Sequence, residues 1–195
     1  MDIGIALFDG VEELDFAGPW EVLAYWSRGW PEDDVSVFTI ADNESPVHCS
    51  KGLRVLPDRT WDEVSAIDVV VYPGGRGTRE QLSAGHPIHA RLRSLANAGT
   101  LMTSVCTGSL VFASAGLLHR RPATTYWGAL DKLAELDPTV EIRRDDRFVD
   151  SGDVVTAAGV SAGIDMALHL IARLHSVERA REVRRGIQYD PEPPV

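Results

Sequence analysis

The chain has no apolar run approaching the ~20 residues that cross a bilayer. Its N-terminus, MDIGIALFDG, carries an acid at position 2 and no basic segment, so it lacks the form of a secretory signal. Only two cysteines, Cys49 and Cys106, occur in 195 residues. Without a secretory context a structural disulfide is not expected, and a reducing, cytoplasmic location is the default. Positive charge is scarce: 19 Lys and Arg stand against 29 Asp and Glu, a formal net charge of −10. That balance speaks against nucleic acid as a partner, since phosphates need a basic face, and against an anionic membrane surface. The densest basic segment, Arg179, Arg181, Arg184 and Arg185, is interleaved with Glu178 and Glu182 and reads as a solvated helix face. GGRGTREQ does not match GxxxxGK[ST], and GxGxxG is absent, so no nucleotide cofactor is implied. No metal is expected either: Cys49 has only His48 beside it, and no spacing resembles a zinc site. The six histidines, His48, His86, His89, His119, His169 and His175, read as surface or capping residues.

What is present is an alternation of apolar strands and helices, with no repeat or linker. Strands are predicted at 2–8, 34–40, 66–75 and 101–105, a hairpin at 47–57 turning at Lys51-Gly52, and two strands within 140–159. Helices are predicted at 18–29, with Pro19 in the first turn, at 86–99, from the Cys106 turn to about Gly116, at 126–136, at 161–176 and over 177–187, before a Pro-rich tail at 191–194. The pattern implies one domain over 1–195, a doubly wound α/β fold of flavodoxin-like type with a mostly parallel sheet and helices on both faces. Ligands bind such sheets beyond the carboxyl ends of the strands.

Three segments bring unusual residues to those ends. Cys106, in TSVCTGSLVF, lies where a strand turns into a helix. A free cysteine is often a small buried hydrophobe. At a strand-to-helix turn, however, unpaired helix N–H groups and the helix dipole favour the thiolate, which is the logic of a nucleophile elbow. The Thr107 N–H would then stabilise a developing negative charge. In YPGG, Gly74 or Gly75 either forms a plain turn or offers a bare N–H to a substrate. Asp15, in EELDFAGP, is either a cap or turn residue ahead of a helix starting at Gly18-Pro19, or a crevice carboxyl whose apolar neighbours raise its pKa for acid–base work.

Together FDGVEELDFAGPWEVL, VVVYPGG, TSVCTGSLVFASAGLLHRRPATTYW and AAGVSAGIDMALHLI resemble the ThiJ/PfpI superfamily, relatives of the class I glutamine amidotransferases. Within it the LD-x-x-GP, SVCTGSLV, ATT-x-W and AGID segments are most similar to the isocyanide hydratases. The resemblance implies Cys106 as nucleophile, Asp15 as the carboxylate facing it, and Gly75 and Thr107 as flanking backbone positions. It implies a cofactor-free hydration of a small neutral isocyanide to an N-formamide through a thioimidate, in a small, largely apolar pocket. Pocket positions implied beside the cysteine are Tyr126, Trp127, Val160 and Ser161, and a homodimer is implied through the helix that starts there. Thr107 departs from the histidine that follows the cysteine in protease-like members, which removes a Cys-His pair. Tyr126 replaces the histidine of the ATTHW segment, which implies a different substrate choice. Two alternatives share the motifs: a ligand or redox sensor, like the ligand domains of AraC-type regulators but with no helix-turn-helix before Val195, and a glyoxalase-like enzyme using the same thiol.

Overall fold

A computed structural model describes residues 1–191. In chain order the strands are β1 (Asp2–Ala6), β2 (Ser36–Ala41), β3 (Val47–His48), β4 (Arg54–Val55), β5 (Arg59–Thr60), β6 (Val69–Tyr72), β7 (Leu101–Val105), β8 (Pro122–Ala123), β9 (Glu141–Ile142), β10 (Phe148–Asp150) and β11 (Val154–Ala157). The α-helices are α1 (Glu13–Gly29), α2 (Thr78–Gln81), α3 (Pro87–Asn97), α4 (Gly108–Ser114), α5 (Leu130–Leu136), α6 (Ala162–Leu174) and α7 (Val177–Gly186).

Seven strands form one sheet in the order β10-β11-β7-β6-β1-β2-β5, parallel throughout except for the edge strand β10. Its five central parallel strands follow the flavodoxin-like order, with the chain reversing direction between β1 and β6. Alternate residues of β6 explain why both faces must be covered: Val69 and Val71 pack with α1, α6 and α7, whereas Val70 and Tyr72 pack with α3, α4 and α5. Leu23 and Trp26 of α1 are fully buried, and each such large side chain contributes roughly 2–3 kcal/mol by leaving water. None of the helices is long and apolar enough to cross a membrane among the described residues.

The hairpin is formed by β3 and β4, and the strand at 101–105 agrees with β7 residue for residue. The predicted helix at 126–136 is instead a 3-10 turn, Trp127–Ala129, followed by α5. The largest difference is at α1, which starts at Glu13 rather than Gly18, with Glu13 and Asp15 complementing the positive helix end. Pro19 thus lies inside the helix and supplies no N–H to the Asp15 carbonyl one turn earlier. The basic face predicted on α7 is only partly solvated: the Arg179 side chain is largely buried against Asp33. Beyond Pro191, the predicted tail lies outside the described residues.

Candidate active site

The sheet register sets the site. Tyr72 pairs with Ser104, so two residues further on Gly74 and Cys106 leave β6 and β7 at the same level. Cys106 holds a positive φ of 57°, a conformation that costs a non-glycine residue about 1–3 kcal/mol and persists only when its surroundings enforce it. Here its N–H donates to the Ala157 and Ala158 carbonyls at 3.1 and 2.9 Å, and its carbonyl accepts from the Thr125 and Ser109 hydroxyls at 2.8 and 3.1 Å. The elbow is therefore fixed from both sides. Thr125 was not singled out in the sequence; its only signal is its place in ATTYW.

Asp15 is fully buried in the first turn of α1, so it is a helix residue turned inward and not a cap ahead of the helix. Its Oδ2 accepts from the Gly74 N–H at 3.0 Å, while Oδ1 has no hydrogen-bond partner among the described residues. Burial raises its pKa to about 6 against the opposing pull of the Gly74 N–H, the Cys106 thiol and the Val160 N–H. Cys106 is only 7 % exposed and is pushed up to about 12, first by burial and then by the Asp15 charge, with the Thr107 and Val160 N–H groups pulling the other way. The expectation of a thiol lowered by the helix end is thus corrected: two N–H groups favour the thiolate, but desolvation and the neighbouring carboxylate outweigh them. Between these limits the pair keeps one proton between carboxyl and sulfur.

Neither glycine offers a bare donor. The Gly74 N–H holds Asp15, and the Gly75 N–H donates to Thr107 Oγ1 at 3.0 Å. Their role is close approach. A Cβ on Gly74 would fall 2.6 Å from both Thr107 N and Oγ1, and Gly75, at φ 125°, faces the Gly10–Glu12 backbone with no room for a side chain. The Thr78 hydroxyl lies within hydrogen-bond reach of the Gly75 carbonyl and Thr107 Oγ1, at 2.8 and 3.1 Å.

A cavity of about 570 Å³ opens above Cys106. Gly75, Thr107, Tyr126 and Val160 line it with Cys106, and Leu110 and Ala129 add apolar floor. Tyr126 is wedged between Gly128 and Gly159, whose Cβ atoms would approach its ring to 2.9 and 2.6 Å. Val160 has a positive φ of 51°, rare for a β-branched residue. Two predicted pocket residues lie elsewhere. Trp127 is 76 % exposed, its ring 5.2 Å from that of Tyr126, and does not line the cavity; Ser161 is exposed and accepts from Arg147. The pocket is also less uniformly apolar than expected, because Lys51, Arg76, Arg79, Lys132 and Glu12 line it too. Among the described residues no histidine does. His89 corrects the surface reading: it is buried, with Nε2 2.6 Å from the Gln81 carbonyl, whereas His86 caps α3 as expected. Cys49 is buried in the core, and burial raises its pKa together with Glu13 and Asp9.

Comparison with known proteins places the sequence and the fold. An isonitrile hydratase of Pseudomonas putida is 38 % identical over 194 residues, covering 100 % of this chain and 81 % of the relative. The HTH-type transcriptional regulator GbdR of Pseudomonas aeruginosa is 29 % identical over 96 % of this chain, which spans 50 % of that protein. A ThiJ/PfpI family protein from Pseudomonas syringae superposes with a TM-score of 0.87 at 29 % identity, covering 100 % of this chain and 77 % of that one. The DJ-1/PfpI family model matches residues 1–173, and with a full-length relative above 30 % identity the chain belongs to the DJ-1/PfpI family.

Proposed function

We propose that the protein hydrates isocyanides to N-formamides, with Cys106 as nucleophile and Asp15 as acid and base. The observation that carries this reading is the pairing of a strained, cavity-lining Cys106 with a buried Asp15 whose pKa is raised to about 6. The 38 % identity to an isonitrile hydratase, isonitrile being another word for isocyanide, supports the substrate class.

The sulfur adds to the terminal carbon of R–N≡C, and the proton held by the pair passes through Asp15 to the same carbon. A C–S and a C–H bond form, the triple bond becomes a double bond, and a thioimidate, R–N=CH–S, is left on Cys106. Asp15, now a carboxylate, takes a proton from water as the oxygen adds to that carbon, and the nitrogen gains it. The C–S bond then breaks, releasing R–NH–CHO and returning sulfur and proton to the pair. The sum is one isocyanide plus one water giving one formamide, with no net oxidation. The Thr107 and Val160 N–H groups, which favour negative charge on the sulfur, stabilise it as it attacks and leaves. Leu110, Tyr126 and Ala129 pack the R group. A homodimer belongs to the same proposal and is read by sedimentation.

The test is direct: incubate the protein with a simple alkyl or aryl isocyanide and follow the formamide. Turnover that disappears in Cys106→Ala and Asp15→Asn supports the reading. Full activity in Asp15→Asn removes its acid–base role. The likeness to one half of a transcriptional regulator favours ligand sensing as the second reading. Tight binding of an isocyanide with no formamide from the wild type would select it.

A further inference from the structure

The cavity lining mixes two chemistries: Leu110, Tyr126 and Ala129 give it apolar surface beside Cys106, and Lys51, Arg76, Arg79 and Lys132 line it with one acid, Glu12. This is a local excess of cations in a chain whose net charge is −10. Lys51 is neutralised by ion pairs with Glu12 and Glu13. Among the described residues Lys132 meets only Glu135, in an exposed i,i+3 pair of the kind a ligand readily displaces. Arg76 is oriented by its Nη2 bond to the Ser50 carbonyl, which fixes the guanidinium without cancelling its charge. Among the described residues neither Arg76 nor Arg79 forms an ion pair with a carboxylate.

We infer that this pocket selects isocyanides bearing a carboxylate or similar anion remote from the isocyano group, with Arg76 and Arg79 as the specificity-determining residues. The inference rests on the hydratase reading and narrows its substrate from neutral to anionic. A planar guanidinium matches a carboxylate in two parallel hydrogen bonds, and a wholly hydrocarbon substrate would leave both arginines unused. The Cys106–Asp15 pair reinforces the orientation. Over neutral pH it holds one negative charge at the floor, which repels the anionic end and leaves the uncharged isocyano carbon facing the sulfur. A cavity of about 570 Å³ has room for both ends and an apolar spacer between them.

The probe pair is a hexanoate with its isocyano group on the terminal carbon and the primary amide of the same acid, whose methylenes insulate the reacting carbon from the change in charge. The expected result is a carboxylate-to-amide ratio in kcat/KM of ~10 or more at low salt, arising in KM, since one charge-assisted contact is worth about a factor of ten. That ratio falls towards one at high salt and in the double variant Arg76→Gln/Arg79→Gln. Because it compares two substrates on one enzyme, a partly misfolded variant does not distort it. Equal kcat/KM for the two probes in the wild type, or a preference that survives in the double variant, overturns the anionic selectivity and leaves the hydratase reading standing. Turnover of neither probe, nor of any simple isocyanide, overturns both.

Discussion

Asp15 and Asp33 sit at opposite ends of α1, both shielded from water, and their pKa values move in opposite directions. Burial favours the neutral form of both. Asp33, just past the helix, receives the Trp26 Nε1–H at 2.6 Å and the Arg179 Nη2–H at 3.1 Å, with the Arg179 Nε at 2.8 Å and His175 at 3.2 Å. Those donors and charges outweigh desolvation and hold its carboxyl below the usual range. Asp15 receives one firm N–H, from Gly74, and the Cys106 thiol that also favours its charge is a weak donor without positive charge, so desolvation wins. A carboxylate given cationic partners is a brace; one left short of them keeps its proton near neutral pH and can exchange it.

The sharpest way to break this contrast is to exchange one oxygen for nitrogen at each end of the helix. Asp15→Asn is expected to lower kcat on an isocyanide by about 10²–10⁴-fold, the range of a lost acid–base group, with a urea midpoint close to the wild type's below pH 4 and no lower than it at neutral pH. Asp33→Asn is expected to leave kcat within a few-fold while destabilising the fold by about 2 kcal/mol, because the largely buried Arg179 loses its charge-assisted bonds to Asp33 and keeps only the more exposed Glu182 and Glu32 as ion-pair partners. Equal destabilisation by the two substitutions would erase the distinction.

A pH series sharpens it. The folded Asp15 carboxyl titrates near 6 and its unfolded counterpart near 3.8, so the native state binds the extra proton between those values. Its contribution to stability therefore falls as pH rises through that window, by roughly 2–3 kcal/mol. Asp33 has the opposite sign: its contribution is present above the unfolded value of 3.8 and is lost as pH falls through the lower folded value. Urea midpoints across pH 3–8 should lose the falling limb in Asp15→Asn and keep it in Asp33→Asn. On the same grounds kcat/KM should rise through about pH 6, where the Asp15–Cys106 pair drops to one proton. The smallest effect expected is that of Thr125→Val, which removes the 2.8 Å bond to the Cys106 carbonyl. It should cost about 1 kcal/mol of stability, and a lower kcat without a matching change in KM would show that a looser elbow slows the chemistry.

Much of this arrangement was legible in the chain. The strand at 101–105, buried on both faces, and the small residues after it located the elbow, because a mostly apolar strand running into Thr107-Gly108-Ser109 and a helical pattern marks a tight strand-to-helix turn. The start of α1 was hidden by Gly18-Pro19, which reads as a helix beginning; proline sits in the interior because the tertiary packing of α1 on the sheet tolerates a missing hydrogen bond. The strands β5, β8 and β9 are two residues each, too short for any periodicity. The partners of the Gly74 and Gly75 N–H groups were invisible since they come from 59 and 32 residues away. Arg179 read as solvated because the acid that buries it is 146 residues distant.

The Thr107 hydroxyl has a consequence for how such sites diversify. It accepts the Gly75 N–H across the gap between two strand ends, so exchanging it for the histidine of the protease-like relatives would leave that amide without its acceptor and press an imidazole into space already shared with Gly74 and Thr78. A histidine at this position therefore calls for an accompanying change in the Gly74-Gly75 turn, so that residue 107 and the turn are bound to vary together.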